Sequence, residues 1–262
     1  MGKRESYTPG TFCWVDLATT DPEAAKTFYT GLFGWTAVDF PMGEGGIYTM
    51  LRLDGDDVAA LSEMQPDMRA QGIPPHWVNY VSVADADAAA AKARELGGIV
   101  FGEPFDVFDA GRMAIIQDPT GATVMAWQPG QHIGAGRVND PGSLTWNELA
   151  TRDIPAARAF YEGLFGWQTE AVEQDGAVVY VTIKNGDRIN GGMMPMTEQH
   201  GDAPPHWLPY FTVASCGKAL TRIGELGGET LAGPIDMLNG RIAIVRDPQG
   251  ATFALFEGEV DN

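Results

Sequence analysis

Cysteine and positive charge are scarce in this chain. Two cysteines, Cys13 and Cys216, stand in 262 residues, too few and too distant in sequence for a disulfide framework. Cys13 falls in a predicted strand, where a small apolar thiol simply packs. Lys and Arg number 17 against 35 Asp and Glu, giving a net charge of −18. Such a surface repels phosphate, which argues against nucleic acid and anionic membranes as partners. It suits a cationic ligand, and it also serves plain solubility. No apolar run reaches the length that spans a bilayer. The first ten residues, MGKRESYTPG, lack the apolar stretch of a secretory signal. The expected location is cytoplasmic.

What the chain does have is itself, twice. Trp14 to Trp35 reads WVDLATTDPEAAKTFYTGLFGW, and Trp146 to Trp167, offset by 132 residues, reads WNELATRDIPAARAFYEGLFGW. The echo continues in Tyr48 and Tyr180, in the Pro-Pro-His-Trp of 74–77 and 204–207, and in the Glu-Leu-Gly-Gly of 95–98 and 225–228. It ends in Asp118-Pro-Thr-Gly-Ala and Asp247-Pro-Gln-Gly-Ala. A period of this length is domain-sized, so duplication is the reading and a solenoid is not. Two domains are expected, 11–129 and 143–258, after an extension of residues 1–10 and joined by a Gly- and Pro-rich linker of 130–142. Each is long enough to bury its own core.

Within each domain the pattern repeats again. Thr11 to Thr19 alternates like a strand. Asp21 is an N-cap with Pro22 behind it, Ala24, Ala25, Phe28, Leu32 and Phe33 recur at helical spacing, and Gly34 stops the helix. Strands are expected at 35–40, 46–53 and 58–64. After a connector at 65–75 come a strand at 77–83, a helix at 85–96 and short strands at 99–101, 112–117 and 122–127, with Asp118-Pro-Thr-Gly121 as a hairpin turn. The fold class is α+β, with paired β-α-β-β-β modules, four in all.

The Asp-capped helix carrying FYTGLFGW or FYEGLFGW, the Glu-Leu-Gly-Gly helix end and the Asp-Pro-x-Gly hairpin resemble the vicinal-oxygen-chelate superfamily. That group includes glyoxalase I, extradiol dioxygenases, fosfomycin-resistance enzymes and bleomycin-binding resistance proteins. The resemblance covers roughly residues 9 to 257, in particular to tandem-domain, glyoxalase-like proteins of actinobacteria. It implies that paired modules curl their sheets into a cleft, where catalytic members hold a divalent metal through His, Gln or Glu. Carried over by spacing, the ligand positions fall on Trp14, Ala60, Val78 and Met125, and on Trp146, Gly192, Leu208 and Ala254. None has a usual metal donor, so no metal and no other cofactor is expected.

Side chains two apart on a strand share a face. Phe12, Trp14 and Asp16 are therefore expected to point into one cleft with Tyr48, Met125 and Trp127. Leu144, Trp146 and Glu148 are expected to point into the other with Tyr180, Met194 and Phe256. Phe28, Tyr29, Leu32 and Phe33 read as core. Trp14 and Trp146 read either as cleft walls or as inherited packing, and Asp16 and Glu148 either as ligand contacts or as solvated strand-end carboxylates. His76 and His206 read as structural, while His132 and His200 carry no inference.

An aromatic, Met-lined cleft with one carboxylate attracts planar rings and cations. The leading expectation is a metal-free binding protein for a small aromatic drug or secondary metabolite, cationic or neutral. The alternatives are a glyoxalase- or dioxygenase-type enzyme with unconventional ligands, or an inactive interaction module. One fold hosts several chemistries. Fusion already supplies a dimer partner, so a monomer or weak homodimer is expected.

Overall fold

The computed structural model describes residues 2–43 and 46–259. The first repeat runs β1 (Phe12–Thr19), α1 (Pro22–Phe33), β2 (Thr36–Pro41), β3 (Ile47–Leu53) and β4 (Asp56–Glu63). It continues α2 (Pro66–Ala70), β5 (His76–Ser82), α3 (Ala86–Glu95), β6 (Ile99–Val100), β7 (Phe105–Val107), β8 (Gly111–Gln117) and β9 (Thr123–Pro129). The second runs β10 (Leu144–Thr151), α4 (Ile154–Phe165), β11 (Gln168–Gln174), β12 (Ala177–Asn185) and β13 (Arg188–Pro195). After a 3-10 turn (Glu198–His200) follow β14 (His206–Thr212), α5 (Cys216–Glu225), β15 (Glu229–Met237), β16 (Gly240–Arg246) and β17 (Thr252–Gly258). The four expected β-α-β-β-β modules are present. Two small elements were not foreseen: α2, which Pro66 starts inside the presumed connector, and the three-residue β7, too short to carry a period.

The caps act as their chemistry dictates. Asp21 accepts from the backbone N–H of Ala24 at 3.0 Å, and Asp153 does the same for Ala156. Gly34 and Gly166 close the two aromatic helices in the left-handed region, at φ of 72° and 71°.

Each repeat makes one mixed sheet, in the orders β2-β3-β4-β1-β5-β9-β8-β6 and β11-β12-β13-β10-β14-β17-β16-β15. The central pairs, β1 with β5 and β10 with β14, are antiparallel. The helices pack on one face of each sheet, and the opposite face, where the cleft is expected, carries a separate apolar cluster.

The helix-side cores draw on both repeats. One core joins Phe28, Tyr29, Trp35 and Trp77 of the first repeat to Phe211, Ile223, Val245 and Phe253 of the second. The other joins Val81, Ala90, Ile116 and Val124 to Phe160, Tyr161, Trp167 and Trp207. Each core thus packs one module from each repeat. Hydrogen bonds cross the same seams. Tyr29 donates to Asp247 at 3.0 Å, and Trp35 and Trp167 donate to the carbonyls of Gly142 and Gly10 at 2.7 and 2.6 Å. No helix among the described residues is long and apolar enough to cross a membrane.

Candidate functional site

Strand register builds the two clefts. In the first sheet Asp16 lies opposite both Ala60 and Val78, Trp14 opposite Tyr80, and Tyr80 beside Met125. In the second, Glu148 lies opposite Gly192 and Leu208, Trp146 opposite Tyr210, and Tyr210 beside Ala254. Paired positions share a face, so each carboxylate sits on the face away from the helix-side cores, framed by the residues named.

The same four groups form the floor of both clefts. Trp14 Nε1 donates to the Tyr48 hydroxyl at 3.2 Å, and Tyr48 and Tyr80 donate to Oδ2 of Asp16 at 3.4 and 2.7 Å. Trp146 Nε1 donates to the Tyr180 hydroxyl at 3.1 Å, and Tyr210 donates to Oε1 of Glu148 at 2.7 Å. Tyr180 lies close enough to Glu148 for each to shift the other's ionisation. Ala60 stands beside Asp16 where Gly192 stands beside Glu148, and a Cβ at Gly192 would overlap the Tyr180 hydroxyl.

Burial raises Asp16 to about 6, against the pull of the Tyr80 and Tyr48 hydrogen bonds. It raises Glu148 as well, opposed by Tyr210, Tyr180 and the charge of nearby His200. All four tyrosines are pushed up by burial first and the carboxylate second, so they remain neutral donors.

Trp14, Asp16, Tyr48, Met125 and Trp127 come together in the first cleft as expected, and Trp146, Glu148, Tyr180 and Phe256 in the second. Phe12 does not. The register slips between Phe12 and Trp14, so Phe12 pairs with Val81 and turns to the helix side. Its ring packs 5.4 Å from Trp167 and 4.9 Å from Trp207. A bulge reverses the alternation locally, and the same slip sends Leu144 into a core. Met194 sits opposite Ala150, half-buried and apart from the apolar cluster of Trp146, Leu208, Tyr210 and Phe256. Tyr80 and Tyr210 were missed, although each lies two residues beyond a framing position on the same strand. His76 and His206 turn back on their own chain, their Nδ1 atoms donating to the Pro74 and Pro204 carbonyls at 2.8 and 2.9 Å. Two further cavities, of about 380 and 280 Å³, lie at the helix seams that hold Phe33 with Arg222 and Phe165 with Lys92. Neither contains the aromatic–carboxylate floor.

The family model for the Glyoxalase/Bleomycin resistance protein/Dioxygenase superfamily matches residues 11–126 and 143–255. The chain belongs to this superfamily. It is 44% identical over 261 residues to the Mycobacterium tuberculosis protein named "Putative glyoxylase CFP32", covering 98% of each chain. It is 36% identical to anthracycline biosynthesis protein DnrV of Streptomyces peucetius, covering 96% of this chain and 94% of that one. Among solved structures, the Mn(II)-bound glyoxalase from Novosphingobium aromaticivorans aligns with a TM-score of 0.68 at 15% identity, over 100% of this chain and 84% of that one. The 2,3-dioxygenase LapB from Pseudomonas sp. KL28 aligns at 0.69 and 14%, over 98% and 96%. At such identities the structural likeness concerns fold alone.

A divalent metal of the kind this superfamily employs finds no matching donor set here. The eight positions carried over by spacing surround the two carboxylates, and all eight are apolar, aromatic or thioether side chains or glycine. Among the described residues no group of three or more His, Cys, Asp and Glu side chains is placed to hold an ion.

Proposed function

We propose that this superfamily member binds a small planar aromatic molecule carrying a positive charge, and does so without a metal. One observation carries the reading: the Trp–Tyr–carboxylate–Tyr floor occurs in both clefts with the same hydrogen bonds. An indole offers a face to a ring or cation, worth about 0.5–2 kcal/mol per cation–π contact, and a carboxylate behind it neutralises an ammonium group. Two tyrosine donors hold that carboxylate in place without supplying a competing charge. Two relatives are named for anthracycline biosynthesis, a direction that agrees with an aromatic secondary metabolite as ligand. Sequestration or delivery of such a molecule follows, in resistance or in biosynthesis.

The test is a fluorescence titration with proflavine, a planar aromatic cation, in the presence of a chelator. Trp146→Ala is expected to weaken binding roughly tenfold, about 1.4 kcal/mol. Glu148→Gln is expected to weaken proflavine but not acridine, its uncharged analogue at pH 8. Unchanged affinity in both Trp14→Ala and Trp146→Ala defeats the reading.

Burial lifts both carboxylates toward the range of a general base, and this favours metal-free proton abstraction as a second function. A turnover that requires Glu148 or Asp16 and rises with pH through that carboxylate's ionisation would establish it.

A further inference from the structure

The two clefts share a floor and differ in what lies over it. Of the seven tryptophans, six are buried to within 3–5% exposure, Trp14 and Trp127 included, while Trp146 is half-buried. Phe256, the second-repeat counterpart of Trp127, is half-buried as well. The difference comes from residues outside the first sheet. The apolar cluster of the first cleft contains Ala135 and Val138, with Tyr7 packed against it. Among the described residues the cluster of the second contains strand residues alone.

The covering segment is the connection between the repeats, pinned along its length. Trp127 Nε1 donates to the His132 carbonyl at 2.9 Å, and the His132 ring stands edge-on to Trp14, centroids 4.7 Å apart at 87°. Ala135 donates its N–H to the Cys13 carbonyl at 2.8 Å, at the position where the β1 bulge leaves the ladder. Gly136 bonds the Asp57 carbonyl at 2.8 Å, Tyr7 donates to the Ala135 carbonyl at 2.7 Å, and Arg137 pairs with Asp54 and Asp56 at 3.0 and 2.8 Å. Gly134, at φ 109°, passes so near that a Cβ would lie 2.3 Å from the Cys13 carbonyl oxygen. Val78 and Met125 stay partly exposed, and Asp16 keeps a partly exposed residue surface while its carboxyl lies buried against Tyr48 and Tyr80, so the strap covers the aromatic end of the cleft and not the framing positions beyond it.

We propose that His132 is a built-in occupant of the first cleft's aromatic end, fixing specificity by leaving Trp146 as the one tryptophan a ligand can reach, so that the chain binds one ligand molecule and binds it in the second cleft. This rests on the proposed function for the ligand's chemistry, but not for the strap itself. An imidazole edge on Trp14 is the contact that an aromatic ligand makes on Trp146. Among the described residues the second cleft is therefore the first without its internal ring.

Acrylamide quenching tests the strap with no ligand present. The wild type is expected to show one quenchable tryptophan, lost in Trp146→Phe. His132→Gly and, independently, Gly134→Val are expected to add a second, lost again in a Trp14→Phe background. His132→Phe, which restores a ring, is expected to behave as the wild type. Proflavine stoichiometry should rise from one per chain to two in both opened variants, with circular dichroism unchanged. A wild type whose quenching already includes Trp14, or opened variants that gain no quenchable tryptophan, would overturn the proposal. If proflavine binds no variant while Trp14 still becomes quenchable, the ligand reading fails and the strap assignment stands.

Discussion

Asp16 carries a cost that a core built for stability alone would not contain. Its carboxyl is raised from 3.8 to about 6 by burial. Below pH 4 folded and unfolded chains are both protonated and the group is neutral in the balance. Between pH 4 and 6 the unfolded chain ionises first, so stability falls as pH rises, and above 6 the penalty is complete. A shift of this size corresponds to about 3 kcal/mol. Asp16→Asn keeps an oxygen to accept from Tyr48 and Tyr80 and cannot ionise. Urea unfolding is therefore expected to show the variant gaining about 3 kcal/mol on the wild type between pH 4 and pH 7, with little difference at pH 4. A constant difference across that range would mean the carboxylate is not desolvated. An ionisable group at such a position in both repeats, as Asp16 and Glu148, is in keeping with the proposed binding role.

At the scale of elements, most of what positions the site follows from period. Alternation on β1 and β10 puts Trp14 with Asp16 and Trp146 with Glu148, and the register confirms both pairs. The same rule applied to β5 and β14 leads from Val78 to Tyr80 and from Leu208 to Tyr210. Phe12 was not legible, because a bulge is decided by how two strands pair and leaves no period in either. The strap was not legible either: 130–142 reads as a Gly- and Pro-rich linker, and only the fold shows that it lies on Trp14. The hairpin Asp-Pro-x-Gly was read correctly as a turn, but its second use was hidden. Asp247 Oδ1 accepts from the N–H groups of Gln249, Gly250 and Ala251, while its Oδ2 takes the hydroxyl of Tyr29 from the other repeat. Tyr29 in turn accepts from Trp77 at 3.1 Å. Tyr29→Phe strands a buried carboxylate oxygen and an indole N–H, and is expected to cost about 1–3 kcal/mol in urea unfolding. A loss near zero would show that water replaces the hydroxyl.

At the scale of the whole molecule, the two repeats share both helix-side cores, and folding as one cooperative body is expected. Each helix-side core takes half its side chains from each repeat, so neither repeat can unfold without opening both cores. Separate domains would melt in two calorimetric steps, each with about half the enthalpy. A shared body melts in one, near 180 kcal/mol by the general scaling of about 0.7 kcal/mol per residue, with equal van't Hoff and calorimetric values. The same sharing links a mutation in the first repeat to the cleft of the second. Phe28 packs against Phe253 at 6.3 Å between ring centroids, and Phe253 lies on β17, the strand that carries Ala254 and Phe256 into the second cleft. Phe28→Ala is expected to lower the single melting transition by the usual 3–5 kcal/mol of a deleted core phenylalanine without creating a second one. Ligand binding at Trp146 should raise the melting temperature of that whole transition, first repeat included, because folding of both repeats is one equilibrium. Two resolved transitions, of which the ligand shifts only one, would show that the repeats fold separately.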